Sequence, residues 1–509
     1  MDANRANQVR SGSVSPVRIA YANPVLDADW PDPDAIRVGD DYWMIASSFN
    51  RAPGLPVLHS RDLVSWTLVG HALETVPPVE HYRIPRHGGG VWAPSIRHHD
   101  GRFWIVYPDP DHGIFVLSAT DPVGAWSEPR LLLAGRGLID PCPLWDDDGR
   151  CYLVHGWAKS RAGIKNRLTV REVSPELDRV IGPARTVIDG DQLPGYTTLE
   201  GPKFYQRDGF YWIFAPAGGV TTGWQSAFRA RSPYGPYEDR VVLAQGSTPV
   251  NGPHQGAWVD TPDGEDWFLH FSDRGPAGRV VHLQPMKWVD GWPVIGNEGE
   301  PVLRYGDGEL VDGEPNRTDL FDGPELSPIW HWQANPRPDW YDAPKDGSLR
   351  LAVLPDDDGD LRNLPQVLGQ QLPGRPRRFE TSVRLDGGGP GARAGLVVLG
   401  QSYAWIGLHR TPAGVDVVLR QRGTPDEDVL HQAPLETAYV ELAADVDEDA
   451  MVRFSYRVRG EWVDAGRFQA VEGRWIGAEV GLFAAAPQGT MDGGGAVFGP
   501  VRVTERETA

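Results

Sequence analysis

Three carboxylate side chains recur in register along the first three-fifths of the 509-residue chain. Asp32, Asp140 and Glu200 each lie eight residues before an Asp in a predicted tight turn. Trp92 and Gln255 occupy the same position ahead of two further turns. A solvated carboxylate has no reason to recur in this way ahead of an apolar strand. The register therefore indicates that three acids, one indole and one amide converge on one site.

Three convergent carboxyl groups suit the hydrolysis of glycosidic bonds. This reaction needs one protonated and one ionised carboxyl group flanking the scissile bond. Inverting enzymes hold the two groups roughly 6.5–9.5 Å apart, whereas retaining enzymes hold them about 5–5.5 Å apart. Acids contributed by separate repeats fit the wider spacing better. A third carboxylate beside the acid would raise the pKa of that acid and keep it protonated near neutral pH.

The elements that must position these residues form a fivefold repeat. Each repeat is a short strand, a turn with Asp and usually Gly, and a strand rich in aromatic and β-branched residues. The turn residues are Asp40, Asp100, Asp148, Asp208 and Asp263. Their spacing of 48 to 60 residues suits a four-stranded propeller blade and is too long for a helical solenoid repeat. The pattern predicts an all-β, five-bladed β-propeller in which the strand before each turn lines the central channel.

The rest of the chain predicts a second all-β unit. A polar, Gly-rich stretch around residues 300–318 is typical of a linker, and short strands separated by turns follow it. This pattern favours an antiparallel β-sandwich. The predicted organisation is an N-terminal tail at residues 1–20, a catalytic propeller at 21–312 and a sandwich at 316–509.

Composition excludes several other classes of protein. The net charge of −20 disfavours binding to nucleic acid or to an anionic membrane and is compatible with a neutral sugar. Cys142 and Cys151 lack the spacing of a zinc site, and we expect them to be buried thiols. The N-terminal sequence has no apolar stretch of signal-peptide length, and no run is long enough to span a membrane. We therefore expect a cytoplasmic protein.

At these motifs the sequence resembles glycoside hydrolase family 43, which comprises five-bladed β-propeller xylosidases and arabinofuranosidases. The resemblance covers the whole propeller. The matching stretches are NPVLDADWPDPDAIRV, GGGVWAPSIR, GLIDPCPLW, TTLEGPKFY and NGPHQGAWV. The second unit resembles the concanavalin-like C-terminal domain of many family 43 xylosidases. In those relatives the domain packs on the propeller, and one of its loops narrows the mouth of the active site.

The resemblance assigns roles to the three acids. Asp32 matches the general base that activates the attacking water, and Glu200 matches the general acid. Asp140 matches the third acid, which modulates the pKa of Glu200 and helps to orient it. The implied reaction is hydrolysis with inversion. Arg279 matches an arginine that hydrogen-bonds sugar hydroxyl groups.

Further residues are candidates for the sugar pocket and for a metal. Phe49 and Trp92 resemble apolar walls of a terminal-sugar pocket, and aromatic faces suit sugar C–H surfaces. Trp224 is a third candidate wall, although a Trp in a β-protein is also typical of a core. His254 matches a histidine that in many relatives binds a calcium ion with a shell of waters, but a plain hydrogen-bonded histidine is an equal interpretation. Such a calcium would be structural or electrostatic, and no cofactor is required for the chemistry.

The implied activity is exo-acting release of terminal xylose or arabinose from short xylan- or arabinan-derived oligosaccharides. An endo-arabinanase, an exo-galactanase and a non-catalytic sugar-binding propeller are the alternatives. The sandwich is expected to cap the active site, with residues 484–495 as the candidate loop; a carbohydrate-binding role is the rival interpretation. The sequence leaves open the choice between xyloside and arabinofuranoside, and whether the protein forms a homo-oligomer.

Overall fold

A computed structural model describes residues 20–311, 313–323, 325–356, 358–423, 427–489 and 494–506. Apart from Ala20, the predicted N-terminal tail lies outside these residues, as does the predicted propeller boundary at Asp312. Helical structure in the described part is limited to short turns. These are the α-helix Lys159–Ala162 and the 3-10 turns His81–Arg83, Gly190–Gln192 and Gly275–Ala277. None of the described helices is long and apolar enough to cross a membrane.

The predicted five-bladed propeller is confirmed, since five antiparallel sheets of four strands follow one another in chain order. Blade I consists of Asp34–Val38, Asp41–Ile45, Gly54–Ser60 and Thr67–Leu73. Blade II consists of Ser95–His99, Arg102–Asp109, Gly113–Ala119 and Arg130–Ala134. Blade III consists of Leu138–Trp145, Cys151–Trp157, Arg167–Val173 and Arg185–Asp189. Blade IV consists of Lys203–Arg207, Phe210–Ala217, Trp224–Ala230 and Glu238–Ala244. Blade V consists of His254–Asp260, Asp266–Asp273, Arg279–Val289 and Trp292–Ile295.

Two of the Asp-containing hairpin turns have a backbone conformation that favours Asp and Gly. In the turns Asp100–Gly101 and Asp208–Gly209 both residues have positive φ, as a two-residue type I′ turn requires. Asp tolerates this conformation because its side chain is short and polar, and Gly tolerates it because it has no side chain. These two turns fix the register of their hairpins in blades II and IV.

The first strands of blades V, I, II, III and IV contact one another in that order around the axis. The first strand of blade V also contacts the second and third strands of blade IV, which closes the ring. Closure is reinforced from the N-terminal side. Strand Tyr21–Ala22 pairs with Arg304–Tyr305, and the backbone of Leu26 exchanges hydrogen bonds with Val281 of blade V. The residues at or just before the start of the inner strands therefore meet at one end of the channel.

The second unit is a sandwich of two antiparallel sheets with one parallel pairing, and the β-sandwich is confirmed. The first sheet has the order His331–Trp332, Leu368–Gln371, Glu479–Ala486, Arg393–Leu399, Tyr403–Thr411, Gly414–Arg422 and Glu427–Leu435, with Leu354–Pro355 parallel to Glu479–Ala486. The second sheet has the order Tyr341–Asp342, Leu349–Ala352, Gly495–Phe498, Arg377–Asp386, Tyr439–Val446, Met451–Val458 and Glu461–Gln469, with Arg502–Glu505 beside Arg377–Asp386.

The two units share one hydrophobic cluster. Buried side chains of blades I and V pack together with those of both sandwich sheets. Ala52 and Trp332 exchange two backbone hydrogen bonds across the interface, of 3.0 and 2.7 Å. The side chain of Asn335 bonds to backbone groups of Val76 and Val79 on the propeller. The apolar surface at this interface ties the position of the sandwich to the propeller.

Candidate active site

One pocket lies where the propeller channel meets the sandwich. All five positions of the sequence register contribute to its wall. The lining residues are Asp32, Phe49, Trp92, Ala93, Ile139, Asp140, Glu200, Val220, His254, Gln255, Arg279 and Trp475. The structure thus brings together every predicted site residue except Trp224.

Asp32 is buried and fully hydrogen-bonded. Its Oδ1 accepts a hydrogen bond from Arg279 Nη1 at 2.8 Å, and its Oδ2 accepts one from Ser47 Oγ at 2.6 Å. A carboxylate accepts at both oxygens, whereas a protonated carboxyl group must donate from one of them. The two donors therefore suit an Asp32 that is ionised and held in a fixed orientation.

Asp140 is tied to the backbone next to Glu200. Its Oδ2 accepts the N–H of Gly201 at 2.8 Å, so the carboxyl group of Asp140 fixes the chain at the residue that follows Glu200. Gly201 has a φ of 59°, and a Cβ there would lie 2.9 Å from the side chain of Gln255. A Cβ at residue 201 would therefore force the side chain of Gln255 to move.

The electrostatics of the pocket favour a protonated Glu200. Burial and the neighbouring carboxylates of Asp140 and Asp32 raise the pKa of Glu200 to about 8, against the opposing charge of Arg279. Burial also raises the pKa of Asp140 above its usual range. The side chain of Glu200 is 28% exposed, so its carboxyl group can reach a ligand in the pocket.

His254 is buried, and its Nε2 lies 3.6 Å from Glu200 Oε1. Burial, with the charge of Arg279, lowers the pKa of His254 to about 3, which keeps the imidazole neutral. Among the residues that the structure describes, neither ring nitrogen of His254 has a hydrogen-bond partner. Over the described ranges, no group of three or more His, Cys, Asp or Glu side chains could hold a metal. The residues fit a calcium only as one imidazole ligand within a shell of waters.

Aromatic rings from both domains also line the pocket. Phe49 and Trp92 lie with ring centroids 6.3 Å apart. Trp475 of the sandwich meets Trp92 edge to face at 6.5 Å. Trp224 lies elsewhere: it packs edge to face on Tyr196 and donates its indole N–H to Ser226. Its position within blade IV differs from the pocket wall that the sequence suggested.

The backbone is strained where side chains point into the pocket. Five of the twelve lining residues are non-glycine residues in the left-handed region: Asp32, Phe49, Asp140, Gln255 and Trp475, with φ between 32° and 67°. This conformation is uncommon outside glycine and costs of order 1–3 kcal/mol per residue. Such strain persists only where the surrounding structure enforces it, and it clusters at functional sites.

The sandwich loop at the pocket is residues 472–477. Trp475 of this loop reaches the pocket. Ala478, the residue after the loop, donates its backbone N–H to Pro276 O of the propeller at 2.7 Å. The sequence suggested residues 484–495 for this position. Residues 490–493 of that segment lie outside the described residues, and Ala484–Ala486 belong to the core strand Glu479–Ala486.

Comparison with known proteins decides the family. The model of the glycosyl hydrolases family 43 matches residues 21–293. The chain belongs to glycosyl hydrolase family 43. The model of the beta xylosidase C-terminal concanavalin A-like domain matches residues 318–504 of this family 43 hydrolase. Both resemblances found in the sequence are thereby confirmed.

Relatives extend over nearly the whole family 43 hydrolase. A putative beta-xylosidase of Xylanibacter ruminicola is 34% identical, covering 91% of this chain and 85% of the relative. A non-reducing end alpha-L-arabinofuranosidase of Bacteroides ovatus is 32% identical over 67% of this chain and 66% of the relative. The crystal structure of xylan beta-1,4-xylosidase from Bacillus halodurans C-125 superposes with a TM-score of 0.85 at 25% identity, covering 95% of this chain and 100% of that one.

Sequence reasoning missed two contributions to the site of this family 43 hydrolase. Trp475 reaches the pocket only because the sandwich docks on the propeller, so no repeat marks it. Its one local signal is an aromatic residue between Gly473 and Gly477 in a turn. Val220, which follows blade IV strand Phe210–Ala217, lines the pocket in the region where Trp224 was expected.

Proposed function

We propose that this family 43 hydrolase is an inverting, exo-acting enzyme. It removes terminal xylose or arabinose from short oligosaccharides derived from xylan or arabinan. The observation that carries the proposal is the convergence of Asp32, Asp140 and Glu200 in a pocket walled by aromatic side chains of both domains. A non-catalytic sugar-binding propeller would not need three carboxyl groups with this arrangement of donors and charges.

In the proposed reaction Glu200 is the general acid. Its carboxyl proton passes to the glycosidic oxygen as the bond from that oxygen to the anomeric carbon breaks. Asp140 supports this role in two ways. Its bond to the Gly201 N–H orients the neighbouring residue, and its charge raises the pKa of Glu200.

Asp32 is the proposed general base. A water on the opposite face of the sugar attacks the anomeric carbon and gives its proton to Asp32. Hydrogen bonds from Arg279 and Ser47 hold the two oxygens of Asp32 in the orientation in which it accepts that proton. Attack from the face opposite the leaving group inverts the anomeric configuration.

Pocket shape supports attack on chain ends. Trp475 and Trp92 form one side of the pocket, and the sandwich loop covers the channel mouth beside them. An endo-acting arabinanase needs an open cleft that lets a polymer run across the propeller face. The docked loop stands in the way of such a path.

A calcium ion, when bound, would be held by His254 and waters and would supply positive charge at the channel axis. The proposed proton transfers use Glu200 and Asp32 alone. The cytoplasmic location and the lack of affinity for nucleic acid and membranes stay predictions from the sequence. The proposed partner is a small neutral oligosaccharide, which the acidic surface does not repel.

The test uses an aryl β-D-xyloside and an aryl α-L-arabinofuranoside with wild type, Asp32→Ala and Glu200→Ala. General acid and base catalysis each contribute on the order of 10²–10⁴-fold, so each variant should lose at least about 10²-fold in kcat/KM. Asp428→Ala, at an exposed site on the sandwich edge strand, is the matched control and should keep its rate. Near-wild-type rates in both active-site variants would refute the proposal. The ratio of the two wild-type rates identifies the preferred pentose.

A further inference from the structure

A buried chain of charged groups runs from the sandwich into the propeller. Glu479, on the sandwich strand Glu479–Ala486, pairs with Arg51 Nε of the propeller and with His331 Nε2 at 2.9 Å. Arg51 Nη1 in turn donates to Asp29 Oδ2 at 3.2 Å. The side chains of these residues are between 0 and 6% exposed. The guanidinium group of Arg51 therefore links a carboxylate of each domain.

This series of linked groups continues to the active site through residue 279. The other oxygen of Asp29 accepts the backbone N–H of Arg279 at 3.0 Å, and the N–H of Trp30 donates to the Arg279 carbonyl at 3.0 Å. From this clamped backbone the guanidinium of Arg279 reaches Asp32 Oδ1 at 2.8 Å. Three hydrogen bonds thus tie residue 279 to the segment that carries Asp32.

The turn before Arg279 is packed too tightly to relax on its own. A Cβ on Gly278 would lie 2.2 Å from Asp29 Oδ1, and a Cβ on Gly477 of the sandwich would lie 2.8 Å from the Gly278 nitrogen. Ala478 donates its N–H to Pro276 O in the same turn. The sandwich therefore packs directly against the backbone next to Arg279.

These buried charged groups are better suited to fixing the geometry of the active site than to stabilising the fold. A buried ion pair contributes little net stability, because desolvation offsets much of the attraction. Removing one partner, however, leaves an uncompensated buried charge. Burial alone would raise the pKa of Glu479, but Arg51 and His331 outweigh it and hold that pKa at about 2. Glu479 therefore stays ionised at neutral pH.

We propose that Glu479 is a positioning residue for hydrolysis. Through Arg51 and Asp29 it fixes the backbone of Arg279. Arg279 then holds the carboxylate of Asp32 in the orientation from which it receives the proton of water. This inference rests on the base role proposed above for Asp32. It assigns the sandwich domain a part in catalysis that is separate from covering the pocket.

The test compares kcat and KM of Glu479→Gln with those of Asn335→Ala on the aryl glycosides. Glu479→Gln keeps the side-chain shape and removes the charge. Misplacement of a reacting group by a fraction of an ångström lowers the rate steeply, so kcat should fall on the order of tenfold with little change in KM. Asn335→Ala removes three interdomain hydrogen bonds that involve none of Glu479, Arg51 and Asp29, so its kcat should stay at the wild-type value.

A double-mutant cycle separates positioning from general loosening of the interface. If Glu479 acts through Asp29, Glu479→Gln combined with Asp29→Asn should lose little more kcat than the worse single variant. Glu479→Gln combined with Asn335→Ala should instead show the product of the two single effects. Multiplicative losses in the first cycle would overturn the inference.

Two further outcomes would also overturn it: unchanged kcat in folded Glu479→Gln, or an equal loss of kcat in Asn335→Ala. Thermal unfolding of each variant confirms that assays run below its melting temperature. If Glu479→Gln does not fold, Arg51→Lys tests the same link by the same criteria. Asp32→Ala in the same assay separates the two proposals. An active Asp32→Ala refutes the proposed base itself, whereas an inactive one upholds the base, and the kcat of Glu479→Gln then decides the positioning role alone.

Discussion

Replacing Trp475 by Ala removes the only sandwich side chain, among the residues that the structure describes, that lines the active-site pocket. Trp475 sits edge to face on Trp92 and adopts a φ of 67°, a conformation that a bulky side chain takes only when its surroundings enforce it. The substitution leaves the acids and their hydrogen-bond partners untouched. It therefore tests whether the second domain contributes binding energy to the sugar site.

The expected effect follows from the exposed area of the Trp475 indole. A fully buried Trp removes about 150–250 Å² from water, and Trp475 is 49% exposed, so on the order of 100 Å² remains available to a sugar. A sugar that covers half of this face buries about 50 Å², which contributes about 1.3 kcal/mol at about 25 cal/mol per Å². Trp475→Ala should therefore raise KM roughly tenfold.

The assay is steady-state hydrolysis of an aryl glycoside and of a short oligosaccharide, with kcat and KM determined separately. Trp475→Ala should raise KM and leave kcat close to that of wild type. Trp462→Ala is the matched control, because Trp462 is also partly exposed on the sandwich but packs under Arg378 and Arg457. An unchanged KM in Trp475→Ala, or the same rise in Trp462→Ala, would refute the reasoning.

Two further predictions concern electrostatics and packing. Wild-type kcat/KM should fall on the alkaline side with a half-point near pH 8, as Glu200 loses its proton. Asp140→Asn should move that limb to lower pH, because removing a neighbouring negative charge lowers the pKa of Glu200; a limb that stays in place would contradict the assignment. Gly278→Ala should destabilise the fold by about 3 kcal/mol in denaturant unfolding and lower kcat, because its φ is 76° and its Cβ would collide with Asp29. Gly39→Ala, also at positive φ but with open space around it, should cost only about 1 kcal/mol, and equal losses in the two variants would contradict this account.

The ring of acids was predictable because a propeller repeats its geometry. Asp32 and Glu200 lie just before inner strands and Asp140 lies near the start of one, so their sequence register corresponds to a position in space. One hairpin motif that occurs five times in the sequence was enough to predict both the fold and the convergence of these residues.

Contributions that depend on docking were not predictable. Trp475 and Glu479 belong to the site region only because a hydrophobic cluster joins the two domains, and no periodic pattern records that contact. The sandwich edge strand Glu427–Leu435 is a further example, because its side chains are largely exposed and its sequence has no apolar alternation that would predict a strand. Trp224 shows the converse, since an aromatic residue near the site in sequence belongs to a blade core in space.

The stereochemistry of the first product tests the central claim most directly. Proton NMR recorded during the first minutes of hydrolysis of an aryl β-D-xyloside, or of an aryl α-L-arabinofuranoside, shows which anomer is released before mutarotation. A water activated by Asp32 opposite the acid Glu200 predicts the inverted sugar: α-xylose from the first substrate and the β-anomer of arabinofuranose from the second. Initial release of the retained anomer would contradict the account, because it requires a covalent glycosyl-enzyme intermediate.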